Sequence, residues 1–300
     1  MRRTTYHQWQ DAIVLSNGKI EIVIVPAIGR VMQMRFVGEE DGPFWELPEL
    51  YGKAPDPEAK NWLNFGGDKT WPAPQSEWPR ITPRSWPPPQ AFDAMPVEAI
   101  VKEGNQGSEV ELRSPVDPHY GIRTRRLIQL AAQRPELTIS TTYEKLAGQP
   151  MNVSVWVITQ LKDPQGVFLP LPKATQFADG YNKQSKQLPA NLQRTGQLLS
   201  LTRDPKNSTK IGTDASTMLW VGEKHVLRID APRVDKREYP DQGSSAEVYT
   251  NPDPLTYVEL ETLGPLQMLS VGQQMTHTNR YTLGRRSKAT PAVEARRWLK

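Results

Sequence analysis

The sequence predicts an all-β fold, a large antiparallel β-sandwich with little helix, from three observations. Apolar residues alternate with period two over short segments, 28 Pro and 20 Gly punctuate those segments, and a helical period is visible only at the C-terminus. Pro ends helices and is confined to strand edges and turns, which disfavours a bundle. With 300 residues, 37% of them apolar, and nine Trp, the chain can bury one large core, and a single domain over residues 1–300 is expected.

Taken in order, KIEIVIV puts Ile20, Ile22 and Ile24 on one strand face, and RVMQMRFV sets Met32, Met34 and Phe36 opposite Gln33 and Arg35. Between them PAIGR, with Pro26 and Gly29, predicts a turn. Residues 43–96 hold twelve Pro and five Trp with little periodicity, which reads as a long ordered loop whose aromatics need something to pack against. Strands resume at PVEAIVK, SEVELRS, GIRTRRLIQL, ELTISTTYE and MNVSVWVITQL, joined by turns such as EGNQG and LAGQP. Residues 162–192 read as a second long loop. Strands return at QLLSLTR, STMLWV, HVLRID, SAEVYT, LTYVELETL and HTNRYTL, and PAVEARRWL (291–299) predicts a short helix with Pro at its first turn.

Composition removes several function classes. Without Cys there is no disulfide, thiolate zinc site, iron–sulfur cluster or cysteine nucleophile. Only four His occur, all far apart, so no metal site and no cofactor is expected, although a carboxylate calcium site is left open. The net charge of +4 comes from interleaved basic and acidic residues, so no nucleic-acid partner is expected. Apolar runs are too short for a membrane span, and no signal peptide is visible. A cytoplasmic location is the default, periplasmic or secreted if a leader was removed. Composition is silent on oligomeric state. GxSxG, HExxH, phosphate-loop and Rossmann patterns are all absent.

Three segments carry candidate chemistry. NFGGDKTWPAPQSEW (64–78) places Asn64, Asp68, Lys69 and Gln75 beside Trp71 and Trp78, a mixture that suits sugar hydroxyls and sugar C–H faces, and equally suits a loop anchored by buried Trp. MNVSVWVITQL sets Val153, Val155 and Val157 toward the core and Trp156 and Gln160 on the other face. LTYVELETL sends Val258 and Leu260 inward and Tyr257, Glu259 and Glu261 outward, the two carboxylates about 7 Å apart at ~3.3 Å per residue. Glutamates on a solvated face are the ordinary alternative.

In order and spacing, KIEIVIVPAIGRVMQMRF, NFGGDKTWPAP, HYGIRTRRLIQL, MNVSVWVITQL, AEVYTNPDP and YVELETLGPLQMLSVGQQMTHTNRYTL resemble the galactose mutarotase-like superfamily of aldose 1-epimerases and related carbohydrate-binding proteins. The wording of GGDKTWPAPQ and SVWVITQL is closest to a bacterial branch outside the established mutarotases. The resemblance implies a supersandwich with an open cleft across a concave sheet for a sugar. It implies Glu261, in ELET, as catalytic base and His119, in PHYGIR, as the proton donor, with Lys69 near sugar hydroxyls. The second histidine of that family's middle strand is missing, where this chain reads WVITQL; Gln160 can hold a hydroxyl but cannot act as a general acid. The expected function is carbohydrate recognition, either as a cofactor-independent aldose 1-epimerase-like isomerase or as a non-catalytic sugar-binding or accessory domain, with a sugar or oligosaccharide as ligand. A structural envelope protein is a third reading.

Overall fold

The computed structural model describes residues 1–56, 58–104 and 107–300; the centre of the turn expected at EGNQG, Asn105 and Gln106, lies outside the described residues. Strand accounts for about 48% of the structure and helix for about 10%. Two antiparallel sheets carry the fold. Across the first run Arg2–Tyr6, Trp9–Ser16, Ile20–Val25, Arg30–Phe36, Asp68–Ala73, Met151–Lys162, Tyr257–Leu263, Ala246–Thr250, Thr209–Thr213 and Asn182–Lys183, with Gln267–Leu269 added beside Met151–Lys162. The second runs from Ala190–Thr195 through Leu198–Thr202, Gly166–Pro170, Thr217–Val221, His225–Asp230, Gln274–Arg285, Glu136–Lys145, Ile122–Leu130 and Gly107–Val116 to Glu98–Gly104.

Alternation puts one face of each sheet into a shared core. Ile13, Leu15, Ile22, Val31, Val258 and Leu260 of the first sheet pack with Val110, Ile128, Ile139, Leu227 and Leu283 of the second, and Val155 is also fully buried. The turn after Ile20–Val25 forms as Pro26 and Gly29 predict: a single 3₁₀ turn, Pro26–Ile28, ends at Gly29 in the left-handed region (φ 64°). The C-terminal helix forms over Pro291–Trp298.

Both long loops need correction. Asp68–Ala73 is a central strand, paired along its length with Met151–Lys162 but with Arg30–Phe36 only at Val31↔Asp68. That nearly free second edge admits Pro72, whose missing N–H leaves no ladder position empty there. The Pro-rich segment closes the gap: Trp78 Nε1 donates to the Pro72 carbonyl (2.8 Å), and the helix Gln90–Asp93 packs against the strand. Residues 162–192 likewise contain the strands Gly166–Pro170 and Asn182–Lys183, and a third strand starts at Ala190. Pro and Gly at the ends of these strands hide them from a periodicity reading.

Alternation along Asp68–Ala73 also sends Asp68 and Thr70 toward the second sheet and Lys69 and Trp71 away from it. Asp68 is fully buried. It pairs with Arg126 and accepts hydroxyl hydrogen bonds from Thr159 and Tyr281 (both 2.7 Å). Expected to meet sugar, this carboxylate instead ties the two sheets together. Asp68→Ala leaves Arg126 buried without its partner and should destabilise the fold by about 3–5 kcal/mol. Urea denaturation checks this, and a midpoint equal to wild type would show that the pair holds nothing.

Candidate functional site

The outer face of the first sheet gathers most of the residues singled out above. Register decides this. Trp156 stands opposite Trp71 on one side and Leu263 on the other, Ile158 opposite Lys69 and Glu261, and Gln160 opposite Glu259. One strand further out, Glu247 stands opposite Glu261 and Tyr249 opposite Glu259, and beyond them Lys210 opposite Tyr249. All these side chains therefore point the same way. The backbone N–H of Trp45 donates to the Gln160 carbonyl (2.9 Å), and the Trp45 ring packs on Tyr257 at 4.6 Å. Two glycines allow the chain to turn from Asn64 into Asp68–Ala73. A Cβ on Gly66 (φ 88°) would lie 2.2 Å from the Trp45 carbonyl oxygen, and one on Gly67 (φ 70°) 2.6 Å from that of Val31.

The polar groups of this face fall into two sets. In the first, Glu261 Oε2 accepts from Trp156 Nε1 and Lys210 Nζ, both at 2.7 Å; Lys210 Nζ also lies 2.7 Å from Glu247 Oε2, and Glu247 Oε1 accepts from Gln184 (2.6 Å). In the second, Lys69 Nζ sits 3.6 Å from Glu259 Oε1 and between the rings of Trp62 and Trp71, 5.3 and 5.1 Å from their centroids. Those two indoles are held by Asp93, which accepts from Trp62 (2.9 Å), Trp71 (2.8 Å) and the buried Arg30 (2.8 Å).

Burial moves the ionisations. Burial among aromatic rings pushes Lys69 down to about 8 against the pull of Glu259. Burial, with Glu247 and Glu259 beside it, holds Glu261 well above the ordinary carboxylate range even though Lys210 opposes this. Burial also works on Lys210, but Glu247 and Glu261 outweigh it and keep that ammonium charged.

Several polar atoms of this face are buried without a hydrogen-bond partner: Lys69 Nζ, both amide atoms of Gln160, Asn64 Oδ1, Glu247 Oε2, Glu259 Oε1 and Glu261 Oε1. Among native proteins such atoms are few, and each asks for an explanation. The expected open cleft is a more enclosed place: Lys69, Gln160 and Glu261 are at most 1% exposed, and the face meets solvent along the half-buried Trp62, Lys210 and Tyr249.

Of the residues expected to act together, Asn64, Lys69, Trp71, Trp156, Gln160, Glu259 and Glu261 meet here. Asp68 faces inward, and Gln75 is exposed in the 3₁₀ turn Gln75–Glu77. His119 is exposed in the connection between two strands of the second sheet, lining a 480 Å³ groove with Thr82, Pro83, Pro87 and Pro118. None of the groove's lining residues belongs to the Glu261 cluster. The other histidines are elsewhere too: His7 stacks on Tyr51, His225 lies 2.7 Å from Glu39, and His277 is buried between the sheets against Thr262 (3.1 Å). Sequence reasoning missed Trp45, Trp62, Glu247 and Lys210. The alternation of SAEVYT pointed at Glu247, but nothing local to Lys210 marks it as a neighbour of Glu261.

The family model described as "Domain of unknown function (DUF4380)" matches residues 11–284. The chain belongs to that family. No curated protein matches the sequence of this DUF4380 chain. Solved structures match its fold. The Slr1438 protein from Synechocystis sp. PCC 6803 is 13% identical over 95% of this chain and 100% of that one, with a TM-score of 0.60. A galactose mutarotase-like protein from Clostridium acetobutylicum is 10% identical over 95% and 98%, with a TM-score of 0.59. A TPR-domain containing protein from Parabacteroides distasonis ATCC 8503 is 16% identical with a TM-score of 0.60; the match covers 93% of this chain and 48% of that one, so this DUF4380 chain spans about half of that protein's length. At these identities the likeness shows the fold, which is galactose mutarotase-like.

Burial pushes His277 down to about 4, so it is neutral in the fold at neutral pH, while an unfolded chain titrates it near 6.5. Between these values the unfolded state binds the extra proton. Stability is therefore intact above about pH 6.5 and falls as pH drops toward about 4, by about 3 kcal/mol in all. His277→Gln should flatten that part of the profile. Denaturation midpoints across this range decide it, and equal slopes in the two proteins would refute it.

Proposed function

We propose that the outer face of the first sheet binds a carbohydrate. The observation that carries this reading is the set of buried, unpartnered polar atoms beneath aromatic rings: Lys69 Nζ, the Gln160 amide, Asn64 Oδ1, Glu259 Oε1 and Glu261 Oε1. A sugar supplies directional hydroxyls to such groups and apolar C–H faces to Trp45, Trp62 and Tyr257. The galactose mutarotase-like fold agrees with the reading and does not establish it.

Aldose 1-epimerase-like isomerisation is the finer reading, and the carboxylates favour it. Anomer exchange needs a base and an acid on the same bound sugar. With His119 elsewhere, both have to come from the ionisable groups of this face, Glu247, Glu259, Glu261, Lys69, Lys210, Tyr249 and Tyr257. Sugar binding without chemistry needs only the aromatic faces and the hydrogen-bonding groups.

A glycan array followed by calorimetry on each hit tests the binding. Gln160→Ala removes two polar atoms that have no partner in the protein, so it should weaken binding by about 1–3 kcal/mol and leave the melting temperature nearly unchanged. Unaltered affinity, or no binding of any sugar by wild type, would defeat the reading.

A further inference from the structure

The outer face holds three carboxylates, Glu247, Glu259 and Glu261, against two ammonium groups, Lys69 and Lys210. Their hydrogen bonds show how the charges divide. Each Glu247 oxygen has a nitrogen against it: Gln184 Nε2 donates to Oε1 (2.6 Å), and the Lys210 ammonium lies 2.7 Å from Oε2 as an ion pair without hydrogen-bond geometry, so a proton on either oxygen would be opposed. Glu259 faces Lys69. Glu261 shares Lys210 with Glu247, and its two oxygens are unlike: Oε2 takes two donors, Trp156 Nε1 and Lys210 Nζ, whereas Oε1 is buried and has neither a donor nor a cation beside it. A carbonyl oxygen accepting two hydrogen bonds beside a hydroxyl oxygen accepting none is the pattern of a carboxylic acid.

We propose that Glu261 is the neutral carboxylic acid of this face, with its hydrogen on Oε1, and that it, not a histidine, offers a proton to the ring oxygen of a bound aldose. The second half rests on the sugar reading above; the first does not. Around Glu261 the charged and titratable groups of this face are Lys69 from Asp68–Ala73, Lys210 from Thr209–Thr213, Glu247 and Tyr249 from Ala246–Thr250, Tyr257 and Glu259 from its own strand, and, at the far end of Met151–Lys162, Lys162, which pairs with Asp41. Asp241, in the turn Pro240–Gly243, adds a carboxyl that burial and Glu247 push up to about 6. The excess charge is thus negative. In a buried place, protonating one of the two carboxyls that share Lys210 removes that charge at least cost; Glu261 has the oxygen free to carry the hydrogen, and its upward shift agrees.

The chemistry balances without another reactant. Glu259 takes the proton of the anomeric hydroxyl as the bond from the anomeric carbon to the ring oxygen opens. The electron pair of that bond goes to the ring oxygen, which takes the Glu261 proton. After rotation of the freed aldehyde the same steps run backward, returning both protons and closing the ring as the other anomer.

Infrared spectroscopy in D₂O near neutral pH, on protein carrying ¹³C-labelled glutamate, reads the acid directly in the ligand-free protein. A protonated-carboxyl band that shifts with the label is expected. It should vanish in Glu261→Gln, and also in Glu247→Gln, where Lys210 is left with Glu261 alone and ionises it. Glu46, which burial pushes up to about 7, adds its own part, read from Glu46→Gln. No labelled band beyond that of Glu46, or a band unchanged in both Glu261→Gln and Glu247→Gln, would overturn the proposal. In exchange NMR with glucose and galactose, Glu261→Gln should slow anomer interconversion at least 100-fold while affinity changes less than twofold. A labelled band in a protein that binds no aldose would sink the sugar reading alone; undiminished exchange in Glu261→Gln would overturn the acid role.

Discussion

The structure depends on the pairing of Met151–Lys162 with Asp68–Ala73 on one side and Tyr257–Leu263 on the other. That three-strand register brings Lys69, Ile158 and Glu261 into one row and Trp71, Trp156 and Leu263 into the next. A slip of one residue in Tyr257–Leu263 would turn Glu261 into the core and Leu260 outward, at the cost of a buried carboxyl without partners. The core therefore enforces the register, and the register aligns the polar face. Val155, Val258 and Leu260, with no chemistry of their own, are what keep Glu259 and Glu261 pointing away from the second sheet.

The two faces of these strands treat polar groups in opposite ways. Asp68, on the inner face, is served by Arg126, Thr159 and Tyr281, and its burial is fully compensated. On the outer face Lys69, Gln160, Glu259 and Glu261 keep atoms with no partner. Each such atom costs about 1–3 kcal/mol if it stays empty. A fold that meets every need of one buried carboxylate and leaves a neighbouring cluster unmet has given up stability on that face, and the proposed sugar site draws on those unmet groups.

The Pro- and Trp-rich segment belongs to the same design. Asp68–Ala73 is almost unpaired on the Arg30–Phe36 side, and the segment fills that opening with Trp78, Phe92 and Asp93. Asp93 then holds Arg30, Trp62 and Trp71 together. The two rings flanking Lys69 thus owe their positions to Asp93. The aromatic content visible in residues 43–96 is what makes the Lys69 environment apolar enough to depress its basicity.

Local pattern by itself determined much of this protein. Period-two alternation identified most strands and assigned Val155, Val258, Trp156, Gln160, Glu259 and Glu261 to the correct faces, because the side of a strand a residue occupies is fixed by its neighbours two positions away. Composition determined the all-β class for a similar reason, since Pro and Gly act where they stand. Sequence alone misplaces Asp68 because DKTWPA reads as loop: Pro72 is acceptable only on a nearly free strand edge, and which edge is free depends on strands far away in the chain. Lys210 and Glu247 escaped notice as partners of Glu261, and His119 was joined to it, for the same cause. Which charges meet is a matter of strand order across the sheet. Tertiary structure alone decided it, because the pairing of Thr209–Thr213 with Ala246–Thr250, and of that strand with Tyr257–Leu263, arises from collapse of the whole core and leaves no local trace in any one segment.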